Sequence, residues 1–289
     1  MMIARRTILA VVPAVAAGIA RAFGTEPSAA ASLREYERAI GGRIGLFAEN
    51  QATGARIVWR ADERFHMCSS FKASLAAAVL ARVDRGEERL DGPVRYSEKD
   101  ILPDVSAPVA KANLAKGELS VGELCQAAVE RSDGACANLL LARIGGPSAL
   151  TAFWRETGDA VSRQDDYEPV TTRAGAIEDT TTPSAMAGSL RRFLLGDVLS
   201  PASREQLTSW MRDCKTGRDL LRAGMPTGWT VADKTGNDGK AMLVDIAVAW
   251  PGAGKPLLIT AYIDGGPVTT GEVRRLMANI GSLVGRQIA

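Results

Sequence analysis

The chain has 289 residues, enough for one large domain or two interwoven ones around a sizeable core. Its apolar fraction of 46% and charged fraction of 24% are ordinary for a globular protein. The 35 basic and 33 acidic residues give a net charge of +2, which excludes the dense positive surface of a nucleic-acid-binding protein. A single histidine and four cysteines without a C-x-x-C pair argue against zinc, so we expect no metal and no cofactor.

The first 24 residues have the layout of an export signal. A basic start with Arg5 and Arg6 precedes an apolar run at 8–20, and small residues follow up to Ala22. The arginine pair is typical of the twin-arginine route. The apolar run is short for a membrane span, although a retained anchor stays open as the alternative. We predict a signal peptide over 1–24, a periplasmic or secreted mature protein, and no stable membrane insertion.

Secondary structure follows from apolar periodicity and end signals. A first helix is predicted over 33–40, and two strands at 43–48 and 55–60 flank a turn. A long helical block comes next. Its start and end signals are a helix from Ser69 or Ser70 to Asp84, a capping box at Ser120 and Glu123, a stop at Gly145, and starts at Thr182-Pro183 and Ser200.

Strand character returns near the end of the chain. WTVADKTG, LVDIAVAW and PLLITAYID are rich in β-branched residues, and a last helix follows over 270–286. The order predicts an α/β plus all-α fold. An antiparallel sheet flanked by helices is built from both termini (25–62 and 214–289), and an all-α domain (63–213) is inserted. Because sites favour domain interfaces, we expect the active site in the cleft between them.

The segment HMCSSFKAS at 66–74 contains two serines, a lysine and the only histidine. In a helix Ser69 and Lys72, three residues apart, share a face, whereas Ser70 and Lys72 do not. Ser69 also lies at the helix start, where free N–H groups favour developing negative charge. The spacing favours Ser69 as a nucleophile and Ser70 as a structural residue. With His66 alone a Ser-His-Asp triad is disfavoured, and the base is a lysine or a carboxylate.

The S-x-x-K spacing of Ser69 and Lys72 is a weak signal by itself, because a serine that caps a helix and a solvated lysine would give the same pattern. Two further motifs support the functional interpretation. Ser132-Asp133-Gly134 follows the helix that starts near Ser120. Lys-Thr-Gly occurs twice. The copy at 215–217 follows a helix and its glycine fits a C-cap, so we interpret it as a helix end. The copy at 234–236 closes a strand, where an ammonium, a hydroxyl and N–H groups can bind a carboxylate, and we assign function to it.

S-x-x-K, S-D-x and K-T-G in this order resemble the serine β-lactamases and penicillin-binding proteins. Glu168-Pro169, within the long segment 163–181, is similar to the omega loop of class A β-lactamases, which holds their general-base glutamate. The resemblance covers about 33–286. It implies the split fold predicted above, a β-lactam antibiotic as the small-molecule substrate, no metal or nucleic acid, and a monomer.

The resemblance implies a role for each matching residue. Ser69 matches the nucleophile and Lys72 the neighbouring lysine; whether Lys72 or Glu168, acting through a water, takes the serine proton stays open. Ser132 matches the hydroxyl that protonates the leaving lactam nitrogen. Glu168 also matches the base that activates the deacylating water. The backbone N–H groups of Ser69 and Asn237 match an oxyanion hole.

Other residues match positions that bind the substrate, support the glutamate loop or hold the hydrolytic water in the family. The substrate-binding positions correspond to Lys234, Thr235, Gly236, Asn237 and Arg275. Asn138 matches an asparagine that supports the glutamate loop, and Thr172 stands where an asparagine usually helps to hold the hydrolytic water. Arg274 and Arg275 could equally form a solvated helix face.

The chain departs from the family pattern at several positions. Gly134 replaces an asparagine that normally contacts a lysine and the side-chain amide of the substrate, and Ser106 lies where an aromatic residue is common. In some members of the family a cysteine before the nucleophile forms a disulfide with a residue two past K-T-G; the matching positions here are Cys68 and Asp238, so this bridge is not available. The four cysteines are expected to be mostly free and buried: Cys68, Cys125, Cys136 and Cys214.

The predicted omega loop is also unusual. Asp166 stands where an arginine usually pairs with Asp179, so two like charges are expected, with Arg163 or Arg173 as candidates to compensate. Asp165 and Asp166 themselves are expected to be solvated. Together the motifs predict a secreted serine β-lactamase that acts through an acyl-enzyme and confers resistance. The alternative is a slowly deacylating penicillin-binding protein or a DD-peptidase-like sensor.

Overall fold

The computed structural model describes residues 28–170, 172–173, 175–252 and 254–288. The predicted signal peptide at 1–24 lies outside these residues. Within them, no helix has the length and apolarity needed to cross a bilayer. The helices are α1 (Ala29–Ile40), α2 (Phe71–Asp84), α3 (Pro108–Ala112), α4 (Val121–Glu130), α5 (Gly134–Ile144), α6 (Pro147–Glu156), α7 (Pro183–Leu190), α8 (Pro201–Arg212), α9 (Leu221–Gly224) and α10 (Thr270–Gln287). The strands are β1 (Arg43–Asn50), β2 (Arg56–Trp59), β3 (Phe65–His66), β4 (Pro93–Arg95), β5 (Glu118–Ser120), β6 (Thr180–Thr181), β7 (Thr230–Asn237), β8 (Met242–Trp250) and β9 (Leu257–Asp264).

The main sheet is antiparallel and has the order β2-β1-β9-β8-β7. Strands from the two ends of the sequence therefore meet at its centre, where Arg43 of β1 is opposite Asp264 of β9. Helices α2 to α9 come between them in the sequence. The predicted fold class is confirmed, whereas the division at 25–62, 63–213 and 214–289 stays a prediction.

Both faces of the sheet are buried, and each belongs to a different hydrophobic core. On β8, Val244, Ile246 and Val248 face the core shared with the helical block, whereas Leu243 and Ala247 face the core of α1, α9 and α10. This period of two is the strand repeat, and double burial explains the continuous apolar runs in the sequence. The edge strand β7 lies against the turn that precedes α2, so the sheet brings the second Lys-Thr-Gly to the predicted nucleophile.

Helix ends agree with their sequence signals in most cases. The capping box at Ser120 makes both of its hydrogen bonds at the start of α4, and Gly145 ends α5 with φ of 110°. The first Lys-Thr-Gly is an exception. Helix α8 ends at Arg212 with Asp213 as its C-cap, so Gly217 is not the helix end that we expected. Its Cα instead packs against the Asp233 carboxylate, where a Cβ would overlap.

The segment 163–181 is closed at its neck by carboxylate-to-backbone hydrogen bonds. Asp179 Oδ1 accepts from the N–H groups of Asp165 (2.8 Å) and Asp166 (3.2 Å), and Asp179 N–H donates to Asp165 Oδ2 (3.0 Å). Arg163 pairs with Asp165 at 2.5 Å. Asp165 is therefore a structural residue and not the solvated acid that we expected. Of the two candidate cations, Arg163 makes the ion pair at the neck.

The ionised carboxylate of Asp179 lowers the stability of the folded state, because it is buried at this neck. The pKa of its carboxyl is raised to about 6, mainly by burial. The charges of Asp166 and Asp165 also raise this pKa, whereas the hydrogen bonds from their N–H groups lower it. The folded state therefore binds the Asp179 proton more tightly than the unfolded state does. This contribution to stability is present below about pH 4, the pKa of a free aspartate, and is lost as pH rises through about 6.

We expect Asp179→Asn to raise the melting temperature at pH 7, because the amide oxygen can still accept both N–H bonds while the buried charge is removed. The gain should shrink as pH falls from 7 to 4, and thermal unfolding across this range measures it. Asp197→Asn, at an exposed side chain outside this segment, is the control and should change little. A gain in Asp179→Asn that is the same at pH 4 and pH 7 would contradict the assigned cost.

Candidate active site

Ser69 lies in a single 3-10 turn, Cys68–Ser70, that leads directly into α2. The Lys72 ammonium, one turn further on, donates to Ser69 Oγ at 2.9 Å. Ser70 Oγ is fully buried and donates to the Met67 carbonyl at 2.8 Å. The structure thus brings Ser69 to Lys72 and keeps Ser70 in a local structural bond.

Glu168 completes a cluster with these two side chains. Its Oε1 accepts from Ser69 Oγ at 3.0 Å and from Lys72 Nζ at 2.8 Å. Burial alone would raise the pKa of Glu168, but the charge of Lys72 and the hydrogen bonds from Lys72 and Ser69 outweigh it and leave the pKa below its usual value. Glu168 is therefore ionised at neutral pH and can accept a proton.

Lys72 is only 1% exposed and uses all three of its donors. Besides Ser69 and Glu168, its third acceptor is the backbone carbonyl of Ser132, at 2.9 Å. Ser132 has a positive φ of 55°, in the left-handed region that few non-glycine residues adopt. In this chain Gly134 supplies no side-chain oxygen, and the Ser132 carbonyl solvates the ammonium.

The Glu168 backbone is clamped by Asn138 of α5. Asn138 Nδ2 donates to the Glu168 carbonyl and Asn138 Oδ1 accepts from the Glu168 N–H, both at 2.8 Å. The peptide between Glu168 and Pro169 is cis. Thr172 lies beyond Pro169 and lines the same cleft. Asn138, which was expected to support the loop, thus holds its backbone beside the cluster, and Thr172 lies in the lining of the same cleft.

Ser132 also faces Lys234 of β7. Lys234 Nζ, fully buried, donates to Ser132 Oγ at 3.1 Å and to the Thr235 carbonyl at 2.7 Å. Burial, with a smaller contribution from the Lys72 charge, lowers the pKa of Lys234 to about 8. The adjacent Asp133 caps α5 and accepts from two backbone N–H groups at the start of α3, which fixes the Ser132 turn.

Close packing explains Gly236. A Cβ at this position would lie 2.6 Å from the Met67 carbonyl and 2.9 Å from Ser69 N, so only glycine lets β7 approach the turn that holds Ser69. Asn237, the next residue, lines the cleft. Gly236 therefore acts through its backbone, by bringing Asn237 alongside Ser69.

The first Lys-Thr-Gly copy contributes Thr216 to the site, which the sequence analysis missed. Thr216 Oγ1 lies 2.6 Å from Thr235 Oγ1 and lines the cleft. The two copies of the motif are thus brought together by their threonines. The signal that could have revealed Thr216 was the repeated motif itself, which we interpreted as a helix end.

Arg275 is not brought to the cleft. It is exposed on α10 and does not line the cavity, whereas its neighbour Arg274 donates to the Thr216 carbonyl at 3.5 Å and pairs with Asp219. Successive helical residues are about 100° apart, so the two arginines point in different directions. Arg274 is thus bonded to the backbone of Thr216, although like Arg275 it does not line the cavity.

The cleft between these residues has a volume of about 470 Å³. Gly134, Val105 and Ser106 form its wall opposite β7 together with Pro169 and Val170. The four cysteines are free and buried, and burial raises the pKa of the Cys68 thiol beside Ser69. The residues that the structure describes contain no cluster of His, Cys, Asp and Glu suited to a metal ion.

His66, the only histidine in the chain, makes a contact outside the cluster. Its Nε2 lies 3.0 Å from the carbonyl of Arg173, in the segment 163–181. Among the side chains that the structure describes, Ser69 Oγ thus bonds to the Glu168 carboxylate, which accepts, and to the Lys72 ammonium, which donates.

Comparison with known proteins identifies the family. The model of the beta-lactamase enzyme family matches residues 28–288. Beta-lactamase L2 of Stenotrophomonas maltophilia is 44% identical over 264 residues, which cover 90% of this chain and 86% of that protein.

Solved structures agree with this match. An ancestral class A β-lactamase is 49% identical with a TM-score of 0.84, over 88% of this chain and 97% of that one. A β-lactamase from Xanthomonas campestris pv. campestris is 46% identical with a TM-score of 0.85, over 88% and 95%. A putative class A β-lactamase, PenP, from Rhodopseudomonas palustris is 44% identical with a TM-score of 0.84, over 88% and 97%. The chain belongs to the beta-lactamase enzyme family and has the fold of its class A members.

Proposed function

We propose that this protein hydrolyses the amide bond of β-lactam antibiotics through an acyl-enzyme on Ser69 and so confers resistance to them. The observation that carries the proposal is the cluster in which Ser69 Oγ lies 3.0 Å from the Glu168 carboxylate and 2.9 Å from the Lys72 ammonium. A hydroxyl with a carboxylate acceptor and a cationic neighbour is an activated nucleophile.

Acylation begins with loss of the Ser69 proton. Ser69 donates to Glu168 and accepts from Lys72, which supports Glu168 as the base and Lys72 as the cation that stabilises the developing alkoxide. The oxygen attacks the lactam carbonyl, whose negative charge is stabilised by the N–H groups of Ser69 and Asn237. Each such donor contributes roughly 3 kcal/mol in comparable sites.

Collapse of the tetrahedral intermediate breaks the bond to the lactam nitrogen. Ser132 Oγ delivers its proton to this nitrogen and takes one from the Lys234 ammonium, which donates to it. The proton that Glu168 accepted from Ser69 leaves to solvent and Lys234 is protonated again from solvent, so Glu168 is ionised for the next step. Lys234 and Thr235 bind the carboxylate of the substrate, with Thr216 orienting the Thr235 hydroxyl and Arg274 adding positive charge behind it. Deacylation follows when Glu168 activates a water, with its backbone held by Asn138.

The segment 163–181 acts in this scheme as an omega loop that presents Glu168. We also propose that the protein is exported as a monomer to the periplasm or the medium, with the arginine pair at Arg5 and Arg6 directing it to the twin-arginine route. The second candidate function is a slowly deacylating sensor. It is favoured by Thr172, whose hydroxyl reaches less far toward a hydrolytic water than an amide does.

Ser69→Ala should remove acylation and lower turnover of a chromogenic cephalosporin by more than about 10³-fold, because the attacking oxygen is lost. Ser70→Ala is the matched control. It loses one buried hydrogen bond, worth about 1 kcal/mol of stability, but should still form the acyl-enzyme, as intact-mass spectrometry would detect. An acylated Ser69→Ala, or a folded Ser70→Ala that cannot be acylated, would overturn the assignment of the nucleophile.

Glu168→Ala should convert turnover into a trapped acyl-enzyme, because the water loses its base while Lys72 still supports a slower acylation. Mass spectrometry of the variant mixed with benzylpenicillin should show about one adduct per protein that persists for minutes or longer. Glu178→Ala, an exposed acid of the same segment, should turn over as the parent does. Unchanged hydrolysis in Glu168→Ala would exclude Glu168 as the deacylation base, and a persistent adduct in the parent would favour the sensor.

Binding of the substrate carboxylate should weaken above pH 8. The Lys234 pKa of about 8 means that the ammonium is charged below this pH and is lost as pH rises through it. We expect KM for benzylpenicillin to rise between pH 8 and 9.5, measured by initial rates across this range. In Lys234→Arg the guanidinium stays charged, so its KM, whatever its value at pH 7, should stay flat. A flat KM in the parent would contradict the role of Lys234.

A further inference from the structure

His66 connects the strand that leads to Ser69 with the segment 163–181. Its Nε2 lies 3.0 Å from the Arg173 carbonyl, and because a carbonyl oxygen only accepts, Nε2 carries the ring proton and donates it. The other ring nitrogen, Nδ1, is buried and has no hydrogen-bond partner among the residues that the structure describes. Nε2 is therefore the atom through which this side chain holds another part of the chain.

The backbone at His66 is fixed by its neighbours. His66 of β3 is paired with Thr180 of β6, and the Met67 N–H donates to the Asp179 carbonyl at 3.0 Å. Ser69 follows two residues after Met67, in the turn that leads into α2. The imidazole thus extends from a strand whose position relative to the nucleophile is fixed.

The outer part of the segment has few other attachments. Among the residues described at 172–173 and 175–178, the bond from His66 to Arg173 is the one hydrogen bond that reaches a residue outside the segment. The other bonds there are local, such as the one from the Ala176 N–H to the same Arg173 carbonyl at 3.1 Å. Loss of the His66 donor would therefore release this stretch from the strand that precedes the nucleophile.

Thr172 lies between two residues whose backbones are held from outside the segment. On one side Asn138 bonds to both backbone groups of Glu168, and on the other His66 bonds to the Arg173 carbonyl. Thr172 and Glu168 both line the cleft. In the proposed function the deacylating water lies in this cleft beside Glu168, so the place of Thr172 decides whether its hydroxyl can contact that water.

Glu168 itself does not depend on the bond from His66. Its backbone is held by Asn138, and its carboxylate accepts from Ser69 and Lys72. Removing the His66 donor leaves these contacts in place. The groups that acylation requires are therefore positioned independently of the histidine.

We propose that His66 is a positioning residue for deacylation, which holds Thr172 at the hydrolytic water through the backbone of Arg173. The inference rests on the proposed function, because it requires an acyl-enzyme that water cleaves. Water adds to the ester carbonyl and gives up a proton to Glu168, and the bond to Ser69 Oγ then breaks as that oxygen is protonated again. His66 takes no part in these transfers and acts only on where the water is held.

The test compares His66→Leu, which has no donor, with His66→Gln, whose amide N–H can reach the same carbonyl. With benzylpenicillin, loss of the donor should slow deacylation about fivefold to tenfold, the range that one hydrogen bond gives, and change the rate of acylation by less than about twofold. Because the acyl-enzyme then accumulates, kcat and KM should fall together while kcat/KM stays constant. Intact-mass spectrometry after removal of excess substrate measures the decay of the adduct directly.

Two further variants separate the hydrogen bond from packing and charge. His66→Ala removes the same donor with a larger loss of volume, so it should slow deacylation as much as His66→Leu, and it carries the test if the leucine variant does not fold. Arg173→Ala removes an exposed side chain but keeps the carbonyl that accepts the bond, so it should turn over as the parent does.

Equal slowing of acylation and deacylation, or a loss in His66→Gln as large as that in His66→Leu, would overturn the positioning role. If the parent forms no acyl-enzyme, the proposed function fails and the role in deacylation fails with it. Hydrogen exchange of a peptide covering 172–178 tests the attachment separately. Exchange should be faster in His66→Leu and parental in His66→Gln, and unchanged exchange in His66→Leu would show that the bond does not hold the segment.

Discussion

A buried positive charge has to be solvated by the protein, and in this molecule that requirement joins three separate segments. The Lys72 ammonium is buried at the start of α2, and each of three segments supplies it with one acceptor. These acceptors are Ser69 Oγ, Glu168 Oε1 and the Ser132 carbonyl. An unpaired ammonium there would cost several kcal/mol. Any movement of the segment that holds Glu168, or of the Ser132 turn, would therefore leave the ammonium without an acceptor. The bonds that solvate the Lys72 charge thus also fix the geometry of the cluster.

A second buried ammonium, that of Lys234, must also be solvated by the protein in this site. Lys234 is buried on the other side of Ser132, so two ammonium groups share one serine, the first through its carbonyl and the second through its hydroxyl. The lowered pKa of Lys234 reflects the burial of the second cation near the first. The carboxylates of Glu168 and Asp233 oppose that repulsion. Charge in this site is thus balanced across the cleft, between the helical block and the sheet.

Local patterns in the sequence were sufficient for the elements and for the main cluster. The spacing of Ser69 and Lys72, the capping box at Ser120 and the β-branched runs each determine structure within a few residues, and the order of the motifs is typical of one family. The antiparallel sheet built from both termini also followed from this order.

The failures all depend on contacts between distant residues. Where Arg275 points depends on the rotation of α10 against the sheet, which the spacing of residues along the helix does not determine. Thr216 reaches Thr235 only because β7 passes beside the end of α8. The bonds between Asp165 and Asp179 are made to backbone N–H groups, which no side-chain pattern encodes. The hydrogen bond from His66 to the Arg173 carbonyl likewise joins residues that are far apart in the sequence.

The pairing of β1 with β9 has a consequence for how the molecule is made. Arg43 and Asp264 are opposite each other, so the centre of the sheet cannot form until nearly the whole chain has left the ribosome. The helices between them need only local contacts and can form early, whereas long-range strand pairing is slow. Strand β7 joins the sheet through β8, and its Lys234 completes the surroundings of Ser132. The surroundings of Ser132 thus depend on a strand that is held in the sheet by β8 and, through it, by β9, so a chain that lacks β9 should not assemble the cleft.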